Sequence, residues 1–146
     1  MKLRRLSAEN TKEIKTVILE IFTKDPWNDV WTDGQLQLYV DELINNSNPL
    51  LLGLYENESL IGISLGRIKH WCSGAEYWID EFGIIPEKQS KGAGTEFLKK
   101  IKRLLTEEGI SQIVLLTEKT TPAYNFYQKN GFYELKKQAF LVSETY

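Results

Sequence analysis

The stretch Gln89-Ser90-Lys91-Gly92-Ala93-Gly94-Thr95 joins an apolar run to an amphipathic one, and small residues at such a junction can do chemistry. Glycine costs about 1 kcal/mol against alanine inside a helix, so its use at a helix start needs a reason. A helix N-terminus presents unpaired N–H groups and about half a positive charge, which together hold an anion such as a phosphate. Gly92, Ala93 and Gly94 would keep side chains out of that approach, and Lys91 adds a cation. The plainer reading is a tight turn eased by glycine, and the residues alone leave both open. The stretch is not a Walker A loop, which ends in Gly-Lys-Ser/Thr, and it does not match GxGxxG. Other reactive types are scarce. His70 and Cys72 are the single histidine and the single cysteine, too few for a protein zinc site. No Cys–His–acid arrangement is evident around Cys72, so an acyl-enzyme on it is not expected.

The elements that must position the glycine turn follow from periodicity. Residues 1–6 read as a short strand, and Asn10 or Ser7 as the N-cap of a helix with Ile14, Val17, Ile18, Ile21 and Phe22 on one face. Thr32-Asp33-Gly34-Gln35 is a second cap signal, followed by Leu36, Tyr39, Val40, Leu43 and Ile44 at helical spacing. Strands are expected over 50–55 and 60–69, joined by a turn, and over about 76–85. The helix after the glycines carries Phe97, Leu98, Ile101, Leu104 and Leu105, with Gly109 as its C′ residue. The apolar run 113–116 suits a buried strand. Thr121-Pro122 opens a short helix to Asn130, and 132–142 supplies the last strand or strands. The order is β-α-α-β-β-β-α-β-α-β, an α/β fold with no repeat, linker or low-complexity tract.

Bulk properties narrow the class. A chain of 146 residues fits one domain, 1–146, able to bury a core without disulfides. Eighteen basic against twenty acidic residues, a net charge of −2, give no basic stripe for nucleic acid. The basic start MKLRRLSAEN has no apolar run behind it, so no signal peptide is expected. No run nears the roughly 20 apolar residues that span a bilayer. A lone cysteine agrees with a reducing cytoplasm.

Two motifs on these elements carry a resemblance. Gln89-Ser90-Lys91-Gly92-Ala93-Gly94 resembles the Q/R-x-x-G-x-G/A motif of the GNAT superfamily of acetyl-CoA-dependent N-acetyltransferases. PAYNFYQKNGF, residues 122–132, resembles that superfamily's A-x-x-F-Y-x-K-x-G-F segment. The order of elements is also the GNAT order, so the resemblance covers essentially the whole chain. It implies a mixed central sheet flanked by helices, with splayed central parallel strands. It implies that the N–H groups from Gln89 to Thr95 (Gln89, Ser90, Lys91, Gly92, Ala93, Gly94, Thr95) cradle the pyrophosphate of acetyl-CoA. The backbone of Phe82, Gly83 and Ile84 would pair with the pantetheine arm like an added strand. Thr120 stands where family members often carry a cofactor-contacting Asn.

Acetyl transfer to an amine needs a deprotonated nucleophile near the carbonyl carbon and a proton for the departing thiolate. The resemblance assigns Tyr127 as the general acid, and a phenol of pKa about 10 suits that task. Its plainer role is the apolar face of its helix. Family members carry an acidic base or anchor on the strand before the glycine turn. Strand alternation would put 78, 80, 82 and 84 on one face and 81 on the other. With Trp at 78, Asp80 is the first choice and Glu81 the second, either acting directly or through a water.

Acceptor sites in the family draw on the segment between the first two helices. Here that segment holds Trp27 and Trp31, and Trp71, Trp78 and Asp80 add aromatic and acidic character. Rings beside Asp25, Asp29, Asp33, Glu76 and Asp80 would favour a cation, hence a polyamine or an amino sugar, aminoglycosides included. Trp27 and Trp31 could equally cap the core. No metal and no nucleic acid or membrane partner is expected. The resemblance is compatible with a homodimer. Two other functions stay open: acetylation of a protein N-terminus or lysine, and a non-catalytic acyl-CoA sensor.

Overall fold

Apolar spacing and two capping boxes set the first helices. The computed structural model describes all of residues 1–146. After β1 (Lys2–Arg5), Ser7 caps a short 3-10 turn and exchanges hydrogen bonds with Asn10, which leads directly into α1 (Thr11–Phe22). Thr32 and Gln35 form the second box, each side chain bonding the other's backbone N–H, at the start of α2 (Asp33–Asn45). The apolar stripes bury Ile14, Val17, Ile18, Ile21 and Phe22 of α1 and Leu36, Val40 and Leu43 of α2.

The chain divides into two compact units, Met1–Leu116 and Thr117–Tyr146. The first contains β2 (Pro49–Glu56), β3 (Ser59–Trp71), β4 (Gly74–Ile84), α3 (Ala93–Glu107) and β5 (Gln112–Leu115). Its sheet runs β1-β2-β3-β4-β5, antiparallel except for the parallel β4–β5 pair. A parallel pair needs a crossover, and α3 supplies it. Leu50–Tyr55 of β2 is buried on both faces because helices cover both. On one face Ile21 of α1 sits so close to Gly83 that a Cβ there would meet it at 2.9 Å. On the other, Phe82 stacks on Phe97 of α3 at 5.4 Å. The C-terminus of α3 is closed as read from the sequence: Gly109 is left-handed (φ 73°), and Ile110 N donates to Leu105 O at 2.8 Å.

A β-bulge corrects the face assignment made from alternation. Gly66 pairs with Ile79 while Leu65 pairs with Glu81, so Asp80 is the extra residue. Partners across a ladder share a face, and Leu65 and Gly66 lie on opposite faces. Trp78 and Glu81 therefore share the α1/α2 face, whereas Phe82 and Ile84 lie with Tyr77 and Ile79 on the α3 face. Position 78 does not share a face with 82 and 84.

The β4–β5 pairing covers only Glu76–Ile79 against Gln112–Leu115. β4 continues from Asp80 to Ile84 beyond the last pair, so its edge on that side is not paired with β5 there. β5 is half-buried rather than buried, as befits the edge strand of this sheet.

In the second unit, α4 spans Pro122–Lys129 with Thr121 as N-cap and proline at its start. The strand expected over 132–142 does not form. A turn closed by Gln138 N donating to Leu135 O (3.1 Å) breaks the extended run, and Phe140, Leu141 and Val142 are exposed. No helix is long and apolar enough to cross a membrane, and no group of three or more His, Cys, Asp or Glu is placed to hold a metal.

Candidate active site

The bulge does more than change parity: it turns Glu81 toward α2. Tyr39 Oη donates to Glu81 Oε1 at 2.6 Å, and the Tyr39 ring lies nearly parallel to Trp31, with centroids 5.3 Å apart. Trp31, Asp29, Val30 and Gln35 line an open cleft of about 420 Å³. The cleft wall, the phenol and the carboxyl thus form one contiguous set, running from the α1–α2 connection to the strand. Asp29 is held there by its N–H, which donates to Phe22 O at 2.8 Å.

Burial pushes the Glu81 carboxyl up to about 7, with smaller contributions from Asp29 and Asp80, opposed by the bond from Tyr39. The Tyr39 phenol is pushed well above its ordinary value by burial and by the charge of Glu81, so it remains a donor. Burial also raises Asp29. A carboxyl poised near neutrality beside a cleft can take a proton at physiological pH and release it again.

Asp80 is placed differently. It is exposed, and its carboxylate lies 3.9 Å from Arg67, the cross-strand partner of neighbouring Trp78. Trp78 and Trp71 already face cations of this chain: Lys69 Nζ is 4.8 Å from each ring centroid, and the Arg67 guanidinium is 6.0 Å from Trp78. Trp27 packs edge-on against Phe22 at 5.9 Å, at the margin of the core. Of the aromatic residues singled out in the sequence, Trp31 is the one that lines the cleft. Its Nε1–H is buried without a partner.

The glycine turn begins where β4 ends. Pro86–Lys88 makes a 3-10 turn, and Gln89 Nε2 donates to Ile84 O at 2.8 Å, tying the turn to the strand. Ser90 and Gly92 both have positive φ, 60° and 84°. Gly92 is the N-cap of α3, and no side chain caps the helix. A Cβ at Gly92 would meet nothing within 4 Å. The glycine is therefore required by the left-handed backbone, the space beside it is open, and no side chain caps the first amides of the helix. Lys91 Nζ donates only to Glu87 O, at 3.3 Å.

In the second unit, Tyr127 is half-buried on α4. Gly131 (φ 89°) ends that helix, Phe132 N donates to Tyr127 O at 3.0 Å, and the two rings lie 5.3 Å apart. The Asn-Gly-Phe that follows the helix is thus a C-cap whose hydrophobic contact holds the Tyr127 ring. Thr120 is exposed in the turn before α4.

The family model of the acetyltransferase (GNAT) family matches residues 16–132. The chain belongs to the GNAT acetyltransferase family. No curated protein matches it in sequence. Solved structures share its fold at low identity. A "possible acetyltransferase" from Clostridium difficile 630 superposes with a TM-score of 0.83 at 15% identity, over 99% of this chain and 98% of that one. AAC(6')-Iy in complex with the bisubstrate analogue CoA-S-monomethyl-acetylneamine gives 0.73 at 14%, over 98% and 97%. An aminoglycoside acetyltransferase from an uncultured soil metagenomic sample, in complex with sisomicin, gives 0.71 at 15%, over 99% and 93%.

Within this GNAT chain, one group at the site escaped the sequence reading: Tyr39 reads as one more apolar residue on the α2 stripe. Asp29 is named there, as one of five acids beside the aromatic rings. The only signal was Tyr39's hydroxyl on an otherwise aliphatic face, which in a core asks for a partner.

Proposed function

We propose that this GNAT protein moves an acetyl group from acetyl-CoA to a primary amine of a small cationic molecule, an amino sugar or a polyamine, by direct attack in a ternary complex. The observation that carries the reading is Glu81: a half-buried carboxyl that the bulge turns toward Tyr39, whose ring stacks on the Trp31 wall of an aromatic and acidic cleft, with its pKa pushed up to about 7.

The chain's residues fit the cofactor. Space before Gly92, uncapped amides at the start of α3 and a weakly engaged Lys91 suit a pyrophosphate. Phe82, Gly83 and Ile84 lie on β4 past the end of its pairing with β5, which suits an extended pantetheine arm. When bound, acetyl-CoA supplies the activated acetyl thioester. Glu81, rather than exposed Asp80, takes the proton of the attacking ammonium, since a base near pKa 7 is ionised often enough at neutral pH and still accepts the proton. Tyr127, on the family's second motif, is assigned the protonation of the departing thiolate.

Charge and size favour a small acceptor. Asp29 and the Trp31 face would draw a cation into a cleft of about 420 Å³, within the range of small-molecule sites. Two structures of the same fold hold sisomicin or an acetylneamine analogue, which supports an amino sugar here. The test is release of free thiol from acetyl-CoA with sisomicin, neamine, spermidine and a lysine-containing peptide. Turnover with an amino sugar or polyamine, reduced at least 100-fold in Glu81→Gln, is expected. Turnover with the peptide alone, or with none of the amines, would contradict the proposal.

A further inference from the structure

We propose that Tyr39 is a positioning residue for the transfer: clamped by its stack on Trp31, its phenol fixes Glu81 through Oε1 and leaves Oε2 to receive the proton. The inference rests on Glu81 being the base, but its central claim concerns the pair and can be tested without turnover.

Geometry carries it. The 2.6 Å bond has the length usual for an O–H donor to an ionised carboxylate, a class that is roughly twice as strong as neutral bonds. Glu81 makes no other hydrogen bond, so this one alone decides how the carboxyl is turned. The phenol in turn has little freedom, because α2 fixes its backbone and the nearly parallel Trp31 ring fixes its plane.

The surroundings leave Tyr39 as the group that favours the ionised form. From the α1–α2 connection Asp29 faces Glu81, and from its own strand Asp80 does; both are acidic and resist ionisation. α1 offers Ile21 and Phe22 at neighbouring Gly83, and β3 offers Leu65 across the ladder. No cation is among the groups that act on Glu81. Half-buried, with acidic neighbours and no cation, Glu81 is pushed toward its protonated form; the phenol offsets part of that penalty. Trp31 belongs both to the cleft wall and to the clamp, so the surface that would receive the acceptor is mechanically joined to the base.

The experiment is a carbon-13 NMR titration of the glutamate side-chain carboxyls in the full chain, with the Glu81 signal assigned by its absence in Glu81→Gln. In Tyr39→Phe the ring and its stack remain and only the donor is lost. The midpoint of Glu81 is expected to rise by about one pH unit, a tenfold change in proton affinity. Trp31→Leu, which frees the phenol without removing it, is expected to move the midpoint in the same direction by less, and it serves if Tyr39→Phe does not fold. A midpoint unchanged in either folded variant would overturn the proposal. If the midpoint moves but Glu81→Gln turns over amines at the wild-type rate, the pairing stands and the assignment of Glu81 as base falls.

Discussion

Gly66 lies so close to Trp78 that a Cβ built on it would stand 2.0 Å from the Trp78 carbonyl oxygen. The bulge at Asp80 presses the β4 backbone against β3 here, and only a residue without a side chain admits it. Gly66→Ala should therefore lower stability by about 3 kcal/mol, the upper part of the range for overpacking. It should also remove the Tyr39–Glu81 bond, because a regular ladder would turn Glu81 to the other face. Denaturant unfolding and the Glu81 carboxyl signal would show both; an unchanged midpoint and signal would mean the bulge relaxes easily.

Glu81 also makes stability depend on pH in a defined sense. Its pKa is raised in the folded chain, from 4.5 to about 7, so its favourable state is the protonated one. Its contribution is fully present below about pH 4.5 and is lost as pH rises through 7. The shift corresponds to about 3 kcal/mol at 1.36 kcal/mol per unit. Glu81→Gln, which keeps an acceptor for Tyr39 and cannot ionise, should unfold at a higher temperature than the wild type at pH 8 and at a similar one near pH 4.5. Equal melting temperatures at pH 8 would show that water reaches the carboxyl.

The sequence made the scaffold legible where a local rule and the tertiary fold agree. Thr32 and Gln35 announce α2, Gly109 ends α3, and the apolar spacing of α1 and α2 picks out the residues that are buried. Gly92 was legible as unusual, and its left-handed backbone is the local reason. The parity of β4 was not legible, because a bulge is set by two strands together and Ile79-Asp80-Glu81 carries no mark of it. Hence Asp80 was placed ahead of Glu81 on alternation, although Glu81 is the carboxyl turned into the protein. The raised pKa was equally hidden, since it arises from burial in the folded chain and is opposed by a partner 42 residues away. The tail misled for the opposite reason: 132–142 has strand-like residues but is broken by its own turn at Leu135–Gln138.

Asp29 should tune the base and draw the acceptor. Its charge disfavours ionisation of Glu81, so Asp29→Asn should lower the Glu81 pKa and move the acid limb of the rate profile to lower pH. The same change should raise KM for a cationic acceptor several-fold while leaving that for acetyl-CoA unaltered. A limb that moves upward, or a KM effect confined to acetyl-CoA, would place Asp29 elsewhere in the reaction.

Gly92→Ala separates backbone from ligand. The residue has φ 84°, and a methyl group there meets nothing within 4 Å, so the folding cost is the left-handed penalty alone, about 1–2 kcal/mol. The methyl would project into the open space before the first amides of α3. Affinity for acetyl-CoA should therefore fall by tenfold or more in protein that remains folded; full affinity would make the glycine a matter of chain geometry only.

The most direct measurement is calorimetric titration of the whole chain with acetyl-CoA, coenzyme A and pantetheine, which lacks the pyrophosphate. One molecule of acetyl-CoA should bind per chain, coenzyme A should bind comparably, and pantetheine should bind at least 100-fold more weakly. Absence of acetyl-CoA binding, or binding that pantetheine matches, would contradict the assignment of the glycine turn and the transferase reaction built on it.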